Sequence, residues 1–176
     1  MPGPIRAVVT GGPGAGKSTL LAELAQHGIS VEEEAARAIL QAPDGMALRE
    51  HDPEGFAAAM FAQELAGFHR AGRRNGATVF DRGFPDTVGF LRLEGLPVPE
   101  AMDRMCRDLR YTGPIFRAPP WQEIYRSDEE RIQDWAEAQA SDSAVCAAWR
   151  NYGYDLIDLP FVSPAERADF VIERLS

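Results

Sequence analysis

The chain has 176 residues, a length that fits one domain (residues 1–176) with a core of its own. Its hydrophobic share of 45% and charged share of 26% are those of an ordinary globular protein, and no apolar run reaches the length of a membrane span. The net charge of -9, from 27 acidic and 18 basic residues, repels an extended phosphate backbone and argues against nucleic acid as a partner, while leaving room for a small anion in a local basic pocket.

Apolar runs of strand length alternate with helical stretches, the pattern of an α/β protein with an open parallel sheet and helices on both faces. The first strand is expected over residues 5–10, a near-continuous apolar and β-branched run. Its apolar character leads straight into a glycine loop and does not resemble a secretory signal, so a cytoplasmic location is expected. A helix over residues 17–27 follows, ended by Gly28. A short strand near 29–32 and a helix over 35–40 come next. Residues 41–55, with Pro43, Gly45 and Pro53, read as a loop. Phe56, Met60, Phe61, Leu65 and Phe68 then recur at helical spacing up to Gly72, most simply as core. A buried strand over 77–80 stops at Asp81, and residues 85–110 read as two helices broken at 95–99. A weaker strand is expected over 114–117, a long polar helix over 128–151, and a last strand over 154–159. A terminal helix begins near Ser163-Pro164, a serine cap with proline in the first turn. The sum is five strands and roughly seven helices.

Residues 11–18 read GGPGAGKS and match the phosphate-loop pattern G-x-x-x-x-G-K-[ST], set between a predicted strand and a predicted helix. The backbone of Gly11, Gly12, Pro13, Gly14, Ala15 and Gly16 forms such a loop, with the N–H groups of all but Pro13 free to turn inward, and the helix starting at Lys17 points its positive dipole end at the bound phosphates. Lys17 bridges the outer phosphates, Ser18 ligates magnesium, and Thr19 completes the motif. Of the 18 basic residues 17 are arginine, and Lys17 is the single lysine. A position that keeps lysine in so arginine-rich a chain is one where the planar guanidinium does not serve. No N-K-x-D guanine signature is possible elsewhere, which favours ATP over GTP.

Asp81 at the end of its strand is the expected second magnesium ligand, direct or through water. Arg82 projects into the same crevice to grip a phosphate or acceptor oxygen, or else pairs with Asp86. Glu34 and Arg37, three apart at a helix start, face the same way beside the loop. Glu34 either orients or deprotonates an acceptor hydroxyl or helps order magnesium, although an acid at a helix N-terminus is also what the dipole favours. Arg126 and Arg131 flank an acidic turn where a flap, residues 119–131, is expected to close over the phosphates; pairing with Glu130 or Asp134 is the alternative. Cys106 and Cys146 read as free thiols, and His27, His51 and His69 carry no assigned role.

With these residues in place the sequence resembles the small P-loop kinase-like proteins labelled AAA-domain predicted ATPases. These are relatives of the ribosylnicotinamide kinase domain and, more distantly, of thymidylate and deoxynucleoside kinases. The matching stretches are GGPGAGKST, EEAAR at 33–37, VFDRG at 79–83, PPWQEIYRSDEER at 119–131 and YGYDLIDLP at 152–160. The resemblance implies a kinase-type parallel sheet of order 2-3-1-4-5, a flap carrying Arg126 and Arg131, an acceptor site near Glu34, Arg37 and Arg82, and a purine contact close to Pro160. The fourth strand departs from the family pattern, with Gly113, Pro114 and Arg117 in place of a plain apolar run. The function expected is an ATP- and Mg2+-dependent phosphotransferase acting on a small acceptor such as a nucleoside, nucleotide or related metabolite. The alternative is a nucleotide-regulated switch or slow ATPase acting through a protein partner; a polynucleotide end kinase is weakened by the acidic balance.

Overall fold

A computed structural model of the chain describes residues 3–125 and 134–176. The five strands are β1 (Ile5–Thr10), β2 (Ser30–Glu32), β3 (Ala77–Asp81), β4 (Ile115–Arg117) and β5 (Leu156–Asp158). All pairings are parallel, in the order β2-β3-β1-β4-β5, as the family resemblance implied. Parallel neighbours demand crossovers, and the helices that make them cover both faces.

The alternation along β1 explains why its sequence reads as one unbroken apolar run. Ala7 and Val9 point to one face, where they join Val79 and Phe116 under α1 (Lys17–Gln26) and α8 (Pro164–Ile172). Val8 points to the other face, joining Phe80 and Ile115 beneath α4 (Pro53–Gly72), α5 (Phe84–Leu93), α6 (Glu100–Asp108) and α7 (Trp135–Asn151). Both sides of the strand are therefore core, which removes any polar alternation. The predicted stripe on α4 is core as expected, with Phe56, Met60, Phe61 and Phe68 buried.

The segment expected as a loop between the second and fourth helices departs from that reading. After α2 (Ala35–Gln41), which was expected, it contains α3 (Gly45–His51), and α4 begins at Pro53. Pro53 occupies the first helical position, and Asp52 caps it by accepting from the Gly55 N–H at 2.9 Å, so this proline starts a helix. Seven residues cannot sustain a helix alone; α3 is held by Leu48, which packs on the core under α4. The helix count among the described residues is thus eight. The strands β4 and β5 are each three residues long, shorter than expected; β4 begins only after Pro114, which has no N–H to donate.

The start of α7 is also later than its polar pattern suggested. Asp134 accepts from the Glu137 N–H while Glu137 accepts from the Asp134 N–H, both at 2.9 Å, which places the cap at 134. The serine cap expected on α8 is present in the same reciprocal form, between Ser163 and Glu166. Two close approaches seat α7 over the loop after β1 and against α5. A Cβ on Gly12 would lie 2.5 Å from the Ala138 carbonyl oxygen, and one on Gly89 would lie 2.8 Å from Val145 Cα. Only glycine permits either contact.

Candidate active site

The site lies beyond the carboxyl ends of β1 and β3, where the chain's connections change direction across the sheet, the usual ligand position in such folds. Gly16 stands before α1 with φ 85°, a left-handed conformation that glycine takes freely and that turns the loop into the helix N-terminus. Lys17 is the first helical residue and is buried. Its Nζ donates to the Gly12 carbonyl across the loop. Burial, and then the neighbouring Arg82 charge, lower its pKa to about 8, a shift that Asp81, Glu34 and Asp86 only partly oppose. The site thus holds a costly cation with no carboxylate bonded directly to it, a cost that an anionic ligand would relieve.

Asp81 closes β3. It is buried, and its Oδ1 has no hydrogen-bond partner. Burial, then the Glu34 charge, push its pKa up to about 6, against the pull of Lys17 and Arg82. An orphaned buried carboxylate oxygen beside a phosphate loop suits a divalent cation, and this fits the magnesium role expected for it. Ser18, the other expected ligand, has its hydroxyl accepting from Arg37 Nη2 at 2.9 Å. Among the described residues no group of three or more His, Cys, Asp or Glu side chains could hold a metal ion; magnesium commonly takes only one or two protein carboxylates and fills its shell with water and phosphate oxygens. If Asp81 takes the magnesium role expected of it, its protonation removes a ligand, and Mg2+-dependent nucleotide affinity is expected to hold above about pH 6 and to fall with each further unit of acid. Mg2+ titrations of nucleotide binding from pH 5 to 8 measure this, and a flat profile would remove Asp81 as a ligand.

Arg82 is the junction of the site. Its φ of 72° is left-handed, a conformation that costs a non-glycine residue roughly 1–3 kcal/mol. The side chain it aims repays that cost in contacts. Nε donates to Glu34 Oε1 at 3.2 Å, and Nη1 donates to the Gly11 carbonyl at 2.8 Å and to Asp86 Oδ1 at 3.1 Å. Burial works against its charge, but Glu34, Asp86 and Asp81 outweigh it and hold the guanidinium firmly protonated. The sequence offered catalysis or an Asp86 pair as alternatives for Arg82; the pair is present, and the same guanidinium also reaches Glu34 and the loop.

Asp86 itself was not anticipated as a site residue. It is buried, and it accepts from Thr10 Oγ1 at 2.6 Å, the Gly83 N–H at 2.9 Å and Trp149 Nε1 at 2.9 Å in addition to Arg82. Four donors, one each from β1 and α7 and two from the β3–α5 turn, meet on one carboxylate. Glu34 forms the N-cap of α2 and makes no side-chain cap hydrogen bond, so its carboxylate is turned to Arg82. Burial opposes its ionisation, yet Arg82, Lys17 and Arg37 together keep its pKa below the usual carboxylate range.

Beside these groups opens a cavity of about 650 Å³ that runs from Lys17, Ser18 and Thr19 past Glu34, Arg37 and Arg82 to an apolar far wall. A second cavity of about 430 Å³ lies behind Glu34, between α2 and α4, lined also by Asp81 and Glu64. Pro160, expected near the nucleotide base, is tied to the loop indirectly. Its carbonyl accepts from Arg167 Nε at 2.8 Å, and Arg167 Nη1 donates to the Ala15 carbonyl at 2.8 Å. The guanidinium lies 5.0 Å from the Trp121 ring, which packs on Phe161. No sequence signal marked Arg167, a helix residue far along the chain. Arg126 and Arg131 lie outside the described residues, as does the acidic turn between them; of the expected flap only residues 119–125 are described.

A family model described as AAA domain matches residues 6–167. No curated protein matches the sequence. Among solved structures the chain is similar to deoxyadenosine kinase from M. mycoides, at 12% identity with a TM-score of 0.70, covering 97% of this chain and 98% of that one. It is similar to the NadR protein solved in complex with NR, at 19% identity and a TM-score of 0.67, covering 97% of this chain and 49% of that one. It is also similar to thymidylate kinase from Candida albicans, at 11% identity and a TM-score of 0.64, with 97% and 90% covered. These likenesses are of fold, and the fold is that of P-loop kinases.

Proposed function

We propose that this chain, which belongs to the AAA-domain family, is an ATP-dependent phosphotransferase that moves the γ-phosphoryl group to a hydroxyl of a small acceptor, a nucleoside or a related metabolite. The observation that carries this reading is the Glu34–Arg82 pair lining, together with Lys17, one cavity of about 650 Å³, a size in the range of small-molecule sites. A carboxylate at that point repels a monophosphate acceptor and accepts the proton of a hydroxyl.

In this reading the loop of residues 11–18 cradles the β-phosphate and Lys17 bridges the outer phosphates. Ser18 and Asp81 would hold Mg2+, whose charge neutralises phosphate oxygens. Glu34 receives a hydrogen bond from the acceptor hydroxyl; its lowered pKa suits orientation of the nucleophile more than early proton removal. As the acceptor oxygen bonds to the γ-phosphorus, the bond from that phosphorus to the bridging oxygen breaks, ADP leaves, and the hydroxyl proton passes to Glu34 and on to solvent. Arg82 meets the charge that spreads over the transferring oxygens. Pro160 and the Trp121–Phe161 side of the loop are the candidate contacts for the base of ATP. Arg126 and Arg131 remain the proposed flap arginines.

The test is ADP release from MgATP across a panel of nucleosides, nucleoside monophosphates and small alcohols, with Glu34→Gln beside wild type. Stimulation by a nucleoside but not by its monophosphate, reduced roughly 10²-fold or more in Glu34→Gln, is the expected result. A slow release indifferent to every acceptor would sink the phosphotransferase reading and favour a switch or slow ATPase.

A further inference from the structure

The far end of the larger cavity carries more recognition chemistry than phosphoryl transfer requires. Its wall is made by Phe56 and Met60 of α4, Phe90 of α5 and Val145 of α7. The Phe56 and Phe90 rings meet edge to face at 5.5 Å, and the Arg49 guanidinium lies 6.0 Å from the Phe90 centroid. Into this apolar wall α4 sets one acid. Phe56, Met60 and Glu64 follow each other at steps of four and so share a helix face, and Glu64 lines both cavities. Glu64 Oε2 accepts from the buried Thr87 Oγ1 at 3.0 Å; among the described residues Oε1 accepts no hydrogen bond.

An acid placed in an apolar wall without a basic partner asks for a ligand. Arg82 is the cation nearest to it in effect, and it is bonded to Glu34, Asp86 and Gly11. Asp86, Glu34, Cys106 and Tyr111 also face Glu64 electrostatically. Burial, and then the Asp86 charge, push its carboxyl well above the usual range, which favours the neutral acid. A neutral carboxyl presents an O–H donor beside a carbonyl acceptor. The complementary surface is an edge that carries an acceptor beside a donor, as amides and amidines do.

We propose that Glu64 is a specificity-determining residue that hydrogen-bonds the edge of a flat heterocycle seated against Phe56, Met60 and Phe90, so that the acceptor is a nucleoside whose ring bears an amide or amidine edge. This rests on the phosphotransferase reading above. Aromatic walls suit a planar ring, and a site built to hydrogen-bond a polar edge rejects a ligand that lacks it, because its own buried group is then left unpaired.

The experiment is calorimetric binding of two matched pairs to wild type, Glu64→Gln and Glu64→Ala. The pairs are adenosine with purine riboside, and cytidine with its analogue lacking the 4-amino group; unfolding midpoints confirm that the variants fold. Wild type is expected to bind the amino-bearing member of at least one pair about tenfold or more tightly. Glu64→Ala should collapse that preference to below about threefold while leaving the amino-free member nearly unchanged, and Glu64→Gln, which still offers donor and acceptor, should keep most of it. Equal losses for both members, or a preference that survives in Glu64→Ala, would overturn the role of Glu64 and leave the phosphotransferase reading standing. Binding of MgATP with no nucleoside bound by any variant would overturn both.

Discussion

Lys17→Met is expected to abolish phosphoryl transfer and at the same time to raise the unfolding temperature of the protein. The first effect follows from the position of the ammonium at the start of α1, inside the phosphate loop. Its loss removes the group proposed to meet the outer phosphates, and a fall of at least about 10³-fold is expected. The second effect follows from the electrostatics of the loop. In the folded chain the Lys17 pKa is lowered from 10.5 to about 8, chiefly by burial, whereas in the unfolded chain it has its ordinary value. Below about pH 8 both states carry the proton and the folded state bears the full cost of a buried cation. Between about pH 8 and 10.5 the unfolded chain binds more protons, so stability rises with pH through that window. Methionine keeps the length and removes the charge, so the variant should gain roughly 1–3 kcal/mol at pH 7, and the gap to wild type should close as the pH approaches 10.5. Urea unfolding of both proteins at pH 7 and pH 10 measures this. A variant less stable than wild type at pH 7 would mean that the contact with the Gly12 carbonyl outweighs desolvation.

The largest loss of stability is expected from Asp86→Ala, at about 3–5 kcal/mol. The substitution strands Thr10 Oγ1, the Gly83 N–H, Trp149 Nε1 and one face of the Arg82 guanidinium together. Each buried donor without a partner is costly, and the charged one most of all. Asp86→Asn is not a rescue, because its amide nitrogen would face donors where the carboxylate accepted from them; a cost of roughly 2 kcal/mol or more is expected. The consequence reaches the chemistry through Arg82. Its left-handed backbone persists only while surrounding contacts hold it, so transfer should fall in both variants even at temperatures where they remain folded. Denaturant midpoints combined with activity at low temperature separate the two effects. Full activity in a folded Asp86→Asn would show that Arg82 does not depend on this carboxylate.

How the site was legible differs from residue to residue. The phosphate loop could be read directly because its chemistry is local: glycines, a lysine and a serine act within one turn of chain, and the flanking strand and helix announce themselves by their own periodicity. Asp81 was legible for the same reason, as the acid that ends a strand. Asp86 appeared in the sequence only as a possible partner for Arg82, since the i, i+4 spacing marks that pair and says nothing of Thr10 or Trp149. Glu64 did leave a trace, a polar residue interrupting the Phe56–Met60 face of a stripe that otherwise reads as core. The segment ahead of α4 misread as loop because Pro43, Gly45 and Pro53 are turn signals in isolation, and only packing of Leu48 against α4 makes a helix of the residues between them.

The sequence by itself determined the alternation of strands and helices, the nucleotide loop and the single lysine in it, because these depend on contacts within a few residues. It also carried the family resemblance from which the strand order was expected. The tertiary structure alone decided which groups distant in the chain meet. Glu34 reaches Arg82 across 48 residues, Trp149 reaches Asp86 across 63, and Arg167 reaches Ala15 across 152. Such pairs have no signature along the chain. Their partners are brought together by the parallel crossovers, and burial, not sequence spacing, makes each one strong enough to shape the site.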